Sequence, residues 1–460
     1  MRSSLLTLTV LSPAAGFSMA GSLPTPPLPS DADATVNRAG SSSRKFDGPN
    51  RAWVCRSPKV VPLWIADMDF RSPQPIVDAL VARAQTGVYG YTDPSPALEA
   101  LTLNRLQSVY GCTVEPSVSW LRWLPGLIPG LNHGIRACCR APTDAVAIPT
   151  PVYAPFLTAA TNCQRPLISV PLAEEQLGSE LHFEVDWAAL EAACAAPTTK
   201  LLHWCNPHNP VGRCWTRAEL VRVARLCVCH DVTARRASNS NPSPLVSPLV
   251  PPLYLLSCRL SERPPVDSLR REVVLSSDEV WGELPLDVEA HPFHSMLSLI
   301  AAEPSAELAS ISTTATVPPE SDPEAVCGVP GLRERLIMLT SPSKCFNVAS
   351  LDLAVAVIPD ANLARRFRNC GRDAAEVTCF GYSAALSAYG DAACEVWRQR
   401  LVEYLRANRE LAFAVLSSVE GMRCVRPEAS YLMWIDATDA LPKGTNAEAF
   451  FLEAGVGLTG

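Results

Sequence analysis

The sequence predicts an α/β fold with a mostly parallel central sheet flanked by helices, and three observations predict it. Short apolar runs read as strands at Trp120–Leu124, Ala145–Ile148, Leu201–Trp204, Val273–Ser276 and Arg335–Leu339. Segments of helical spacing separate several of them. The runs are followed by loops rich in Gly, Pro, Asn and Ser, which is how a strand hands over to a crossover helix. Residues in such loops lie beyond strand carboxyl ends, where open α/β sheets bind ligands.

Pro62–Phe70 reads as an extended segment ending in a turn, and Pro75–Gln85 as a helix with proline near its start. A second helix is expected over Ala97–Tyr110, with Leu98, Leu101, Leu106 and Val109 facing inward. After the strand at Trp120–Leu124 and the turn Pro125-Gly126, a helix begins near Gly130. Thr216 is the expected N-cap of a helix running to Cys229. Helical patterns at Ala361–Arg372 and Ala393–Leu416 precede a strand-like run at Tyr431–Ile435, which suggests a smaller α/β domain.

The expected organisation is a leader over 1–45, disordered or targeting, an N-terminal arm over 46–90, a large ligand-binding domain over 91–360 and a small C-terminal domain over 361–460. Residues 232–272 and 297–330 are rich in Ser and Pro or Thr and read as insertions, since structureless loops beyond about 15 residues are uncommon inside compact domains. The leader is apolar at Leu5–Leu11 and has no acidic residue before Asp31, which fits an organelle-targeting segment, a weak signal peptide or a disordered leader; the expected location is cytoplasmic, with organelle targeting as the alternative.

With 460 residues, 48% of them hydrophobic, the chain can bury a large core. A net charge of −7 and no block of Lys and Arg argue against nucleic acid, and no apolar run is long enough to span a bilayer. Seventeen cysteines are an odd number scattered through apparent helices and strands, the pattern of reduced thiols, and Cys227-Val-Cys229 lacks the second pair that a zinc site needs. No metal is expected, and small molecules are the expected partners.

The chemistry gathers in three motifs, Asn206-Pro-His-Asn-Pro-Val-Gly212, Ser276-Ser-Asp-Glu-Val280 and Thr340-Ser-Pro-Ser-Lys-Cys-Phe-Asn347. A lysine that condenses with a cofactor aldehyde needs hydroxyls nearby for a phosphate, a carboxylate for a pyridine nitrogen and a donor for a ring hydroxyl. Lys344, Ser341 with Ser343, Asp278 and Asn209 offer these, which points to pyridoxal 5'-phosphate. Pro125-Gly-Leu-Ile128 opens a helix, so the amides of Gly126, Leu127 and Ile128 can face an anion.

Together with Trp64-Ile-Ala-Asp-Met-Asp-Phe70 and Val88-Tyr-Gly-Tyr91, these motifs resemble the class I/II aminotransferase superfamily of fold type I pyridoxal phosphate enzymes. Within it the pattern is most similar to carbon-sulfur lyases of the cystathionine β-lyase type. The resemblance runs from about Phe46 to the last residue, outside the insertions. It implies that Lys344 carries the cofactor and removes the substrate α-proton, that Asp278 pairs with the pyridine nitrogen, that Asn209 donates to the ring oxygen and that Tyr153 stacks on the ring. It further implies that Trp64 and Asp67 line the substrate entrance. Tyr91 would reach the phosphate of a neighbouring subunit, which makes a homodimer the expected assembly.

Three departures stand out. Trp281 occupies a cofactor-side position usually held by tyrosine or histidine, and indole only donates. Asp352 stands eight residues after the lysine, where aminotransferases carry a phosphate-binding arginine; lyase-like members usually lack that arginine too. The sequence stops at Gly460, before the segment whose arginine clamps the substrate carboxylate in the family, so the small domain reads as truncated. The expected function is a pyridoxal phosphate-dependent lyase acting on cystathionine or related cysteine conjugates, with an aminotransferase or a catalytically impaired homologue as the alternatives.

Overall fold

Three runs are buried at almost every position, at Thr199–Cys205, Val274–Asp278 and Leu336–Thr340, as parallel strands covered on both faces must be. They form the centre of a sheet in the computed structural model, which describes residues 5–9, 36–47, 60–228, 273–301 and 328–459. The strands in chain order are β1 (Leu5–Thr9), β2 (Val61–Pro62), β3 (Leu121–Leu124), β4 (Ala145–Thr150), β5 (Leu167–Pro171), β6 (Ala173–Leu177), β7 (Glu180–Glu184), β8 (Thr199–Cys205), β9 (Val274–Asp278), β10 (Leu336–Thr340), β11 (Ala354–Val357), β12 (Arg423–Val425), β13 (Leu432–Asp436) and β14 (Val456–Gly457). The main sheet has seven strands in the order β3-β11-β10-β9-β8-β4-β5. All its pairings are parallel except the two made by β11, so the predicted α/β class with a mostly parallel sheet is what the chain adopts.

The helices α1 (Arg44–Asp47), α2 (Gln74–Gln85), α3 (Pro96–Ser108), α4 (Leu127–Cys138), α5 (Ala154–Asn162), α6 (Trp187–Ala195) and α7 (Arg217–Val228) follow in order. Local chemistry sets their starts. Ser95 Oγ accepts from Leu98 N–H at 3.2 Å to begin α3. Thr216 and Glu219 make a reciprocal cap before α7, with Glu219 N–H reaching Thr216 Oγ1 at 3.3 Å and Thr216 N–H reaching Glu219 Oε2 at 2.7 Å. α4 starts at Leu127 rather than near Gly130, because Gly126 at φ +143° already turns the chain into the helix.

A second sheet runs β1-β13-β12-β7-β6. The hairpin β6–β7 therefore hydrogen-bonds with the C-terminal strands, although its position in the sequence lies inside 91–360. β1 pairs with β13 antiparallel, so part of the expected leader is a strand. Helices at Ala361–Cys370, Cys379–Gly390 and Ala392–Ser417 complete the C-terminal part.

Order also begins earlier than Phe46. In the described residues 36–47, Lys45 is wholly buried, its Nζ 3.0 Å from Asp69 Oδ1, and Arg38 grips Asp67 at 3.0 and 3.1 Å and Asp69 at 2.7 Å. Four charges thus neutralise one another and pin the arm to the 64–70 segment. The insertion 232–272 lies outside the described residues. Of 297–330 the ends are described, and they belong to the core: Met296–Leu299 is a buried single turn, and Val329 N–H bonds to Leu299 O at 2.7 Å. The two described ends thus meet at one point.

Asp69→Ala removes the principal carboxylate facing the buried Lys45 ammonium. It is expected to cost about 3 kcal/mol, because an uncompensated buried charge remains. A lowered midpoint in urea unfolding checks this, as does earlier proteolysis within 36–47.

Candidate active site

Five loops leave the main sheet at the same edge. β3 leads to Gly126, β4 to Tyr153, β8 to Asn206–Gly212, β9 ends in Asp278, and β10 leads to Lys344. Strand register sets their spacing: Cys205 pairs with Asp278 and Asp278 with Leu339, so the carboxylate lies between the asparagine loop and the lysine loop.

Lys344 points inward, and its Nζ donates to Ala66 O at 3.0 Å and lies 5.4 Å from the centre of the Trp281 ring. Burial lowers its pKa, while the negative charges of Asp67 and Asp278 oppose that shift. Asp278 is 5% exposed, and its Oδ1 accepts from Val280 N–H at 3.1 Å. Burial pushes its carboxyl up to about 6, against the pull of that hydrogen bond and of Lys344.

Asn209 and Tyr153 are joined through the backbone, with Tyr153 N–H on Asn209 O at 3.0 Å. Burial raises the phenol of Tyr153, and the charge of Asp278 adds to the shift, which puts tyrosine and carboxylate in one site. His208 fastens the two loops by a 2.8 Å bond between its Nε2 and Pro151 O, and Asn206 N–H bonds Asp278 O at 2.9 Å.

At Gly126 the first amides of α4 are presented to the site. Pro129 at the third helical position has no N–H, which leaves Gly126, Leu127 and Ile128 as the donors. A Cβ at Gly126 would meet nothing nearer than Pro129 Cδ at 3.8 Å, so the mouth of this helix is clear of other side chains. These groups fit pyridoxal phosphate. An anion cradle at a helix N-terminus, a buried carboxylate for a ring N–H, an amide side chain and an inward-facing amine converge on one edge.

Ser341 does not present its hydroxyl to this edge. Its Oγ donates to Leu353 O at 2.6 Å and accepts from Ser343 N–H at 3.0 Å, so it ties the lysine loop to the start of β11. Of the two serines, Ser343 remains the part-buried one near the lysine. Trp281 packs edge-on against Tyr431, ring centres 4.8 Å apart, with Lys344 beside it. Trp64 Nε1 donates to Lys45 O at 3.2 Å, and Asp67 is held by Arg38, so both support the entrance segment through the arm. Tyr91 is 98% exposed and extends from the protein. Asp352 is exposed and adopts a left-handed backbone at φ +50°, turned to solvent on the β10–β11 connection.

Sequence reasoning gave no role to several residues that build the site. Asn347, inside the lysine motif, accepts from Met68 N–H at 3.0 Å and donates to Met68 O and Phe70 O, thereby clamping the 64–70 segment to the lysine loop. Its place in the motif was the available signal. Tyr431 reaches in from the C-terminal part and donates to Ala66 O at 3.1 Å. Behind the lysine loop, Arg105 pairs with the buried Glu283, and Tyr110 OH lies 2.6 Å from Thr340 Oγ1. Among the described residues, no cluster of His, Cys, Asp and Glu is arranged to hold a metal ion, and no helix is long and apolar enough to cross a membrane.

Residues 58–233 match the family model for aminotransferase class I and II. Cystathionine beta-lyase PatB of Bacillus subtilis (strain 168) is 27% identical over 410 residues, covering 88% of this chain and 84% of that protein. The solved structure of OvoB superposes with a TM-score of 0.68 at 29% identity, over 93% of this chain and 89% of that one. Cystalysin from Treponema denticola, whose structure contains a pyridoxal 5'-phosphate cofactor, superposes with a TM-score of 0.65 at 22% identity, over 87% and 82%. Motifs, relatives and fold support a likeness to the class I/II aminotransferase superfamily of fold type I pyridoxal phosphate enzymes. Within that superfamily its likeness is to the cystathionine β-lyase kind.

The raised carboxyl of Asp278 has a consequence for stability. Without cofactor, the folded chain retains a proton that the unfolded chain releases between about pH 4 and pH 6. This group therefore destabilises the fold increasingly as pH rises through that window, and fully above it. Asp278→Asn is expected to stabilise the cofactor-free chain at pH 8 by about 2–3 kcal/mol and to change little at pH 4. Urea unfolding at the two pH values, with and without the substitution, checks it.

Proposed function

We propose that this chain is a pyridoxal phosphate-dependent carbon-sulfur β-lyase. Its substrates in this reading are water and cystathionine or related cysteine conjugates, and its products are pyruvate, ammonia and a thiol. The observation that carries the reading is the convergence of Lys344, Asp278 and Asn209 with the α4 amides at one sheet edge. The likeness to PatB supports the carbon-sulfur lyase side of the superfamily.

When bound, the cofactor supplies an electron sink for the pair left on the substrate α-carbon. The α4 amides of Gly126, Leu127 and Ile128 would hold its phosphate, Asp278 its pyridine N–H, Asn209 its ring oxygen and Lys344 its aldehyde carbon, with Tyr153 against the ring. As a free amine, Lys344 would take the α-proton on Nζ. Burial favours the neutral amine that can do so, and Asp67 and Asp278 stabilise the ammonium that results. Trp64 and Asp67 shape the entrance. The fully exposed Tyr91 supports a homodimer whose partner subunit uses this side chain.

Aminotransfer is the second reading, and the class I and II aminotransferase match keeps it in view. Both reactions remove the α-proton, and they differ in where a proton is returned. A third reading, an impaired homologue, follows from the carboxylate clamp. A bidentate guanidinium is the usual orienting group for an amino acid. Arg38 does not serve as one, because both of its faces are committed to Asp67 and Asp69.

Adding pyridoxal phosphate to the purified chain is expected to give a yellow band that borohydride abolishes, leaving a cofactor adduct on Lys344, and Lys344→Ala is expected to show neither. With cystathionine, pyruvate and thiol should appear without a keto-acid acceptor. Dependence on an acceptor would identify the aminotransferase, and binding without turnover the impaired homologue.

A further inference from the structure

Ala66 O is shared by two donors from distant parts of the chain, Lys344 Nζ at 3.0 Å and Tyr431 OH at 3.1 Å. Tyr431 is 3% exposed, so its hydroxyl has no ready exchange with bulk water. Its ring packs at 81° on Trp281, whose indole is also the surface beneath the Lys344 amine. The 64–70 segment that offers the carbonyl is fixed from the other side by Asn347 and by the Arg38 and Lys45 pairs. The carbonyl is therefore a rigid, doubly used acceptor.

We propose that Ala66 O is the resting point of the free Lys344 amine, and that Tyr431 is a positioning residue that weakens this hold by competing for the same oxygen. The inference rests on the reading of Lys344 as the amine that moves the α-proton. Two donors on one acceptor weaken each other, and a charged donor gains more from the acceptor than a neutral one. Tyr431 thus keeps the carbonyl from overstabilising the ammonium, which must give its proton up again in each cycle. The other groups facing the amine are Asp67 from the 64–70 segment and Asp278 from β9, and both favour the ammonium. Asp67 and the buried Cys345 are the charged or titratable neighbours of Tyr431.

The test reads the amine directly in the full cofactor-free chain. Reductive methylation with formaldehyde and cyanoborohydride is carried out across a pH series, and labelling at Lys344 is measured by mass spectrometry. Tyr431→Phe keeps the ring on Trp281 and deletes the competing donor. The pH of half-maximal labelling is expected to rise by about 0.5 with little change in thermal midpoint. 3-Fluorotyrosine at position 431 has nearly the same shape and a stronger donor, and should move the profile down; it carries the test should the Phe variant not fold. Profiles that stay in place, or that move the opposite way, would overturn the proposal and leave Tyr431 as packing alone. Failure of the underlying reading shows separately, as no borohydride-fixed cofactor adduct on Lys344 in the unmodified chain.

Discussion

The parallel register across β8, β9 and β10 is the constraint on which the site depends. Because Cys205, Asp278 and Leu339 stand opposite one another, the asparagine loop, the carboxylate and the lysine loop leave the sheet side by side. The backbone bonds that tie Asn206 to Asp278 and Tyr153 to Asn209 then hold these residues together. A slip of one residue in any of the three strands would turn its side chains to the opposite face and take the site apart. The burial of the three strands on both faces makes such a slip costly, so the core of the sheet and the geometry of the chemistry are one requirement.

Charge is handled in two contrasting ways around that edge. Arg38, Lys45, Asp67 and Asp69 compensate one another, and the set serves as a clasp between the N-terminal arm and the entrance segment. Among the described residues, Asp278 has a backbone N–H and the field of Lys344 to offset its charge, and burial raises its carboxyl. A carboxylate left so thinly compensated is costly to the fold and suited to a cationic N–H on a ligand. Glu279 beside it shows the structural alternative. It is equally buried, and burial pushes its carboxyl up to about 7 as well, but it accepts from Ser277, Ser295 and Met296 and so anchors the strand end.

Motif and strand pattern made the sheet, the lysine loop and the carboxylate legible, because a buried parallel strand followed by a polar loop leaves a compact local signature. What escaped sequence reading depends on long-range pairing. Nothing local in Ala173–Glu184 tells that its hairpin joins strands beyond residue 420. The helix Cys379–Gly390 was missed because its buried residues, Cys379, Gly381, Ala384, Ala385 and Ala388, are small and form no apolar stripe. Arg38 and Lys45 looked like leader residues since their carboxylate partners lie more than twenty positions away. The hydrogen bond from Ser341 Oγ to Leu353 O is likewise invisible in the sequence, since only the fold brings that acceptor near.

The same distance in sequence gives Ala66 its interest. Its carbonyl brings together the entrance segment, the lysine loop and the strand that begins after Tyr431, so three parts of the chain meet at one oxygen. A displacement of the C-terminal part relative to the main sheet would withdraw Tyr431 from that oxygen before it disturbed the lysine loop, which Asn347 and Ser341 hold independently. The first chemical effect of such a displacement would therefore fall on how firmly the free amine of Lys344 is held. On the proposal made for Tyr431, its position and the proton affinity of Lys344 would be coupled through a shared hydrogen-bond acceptor.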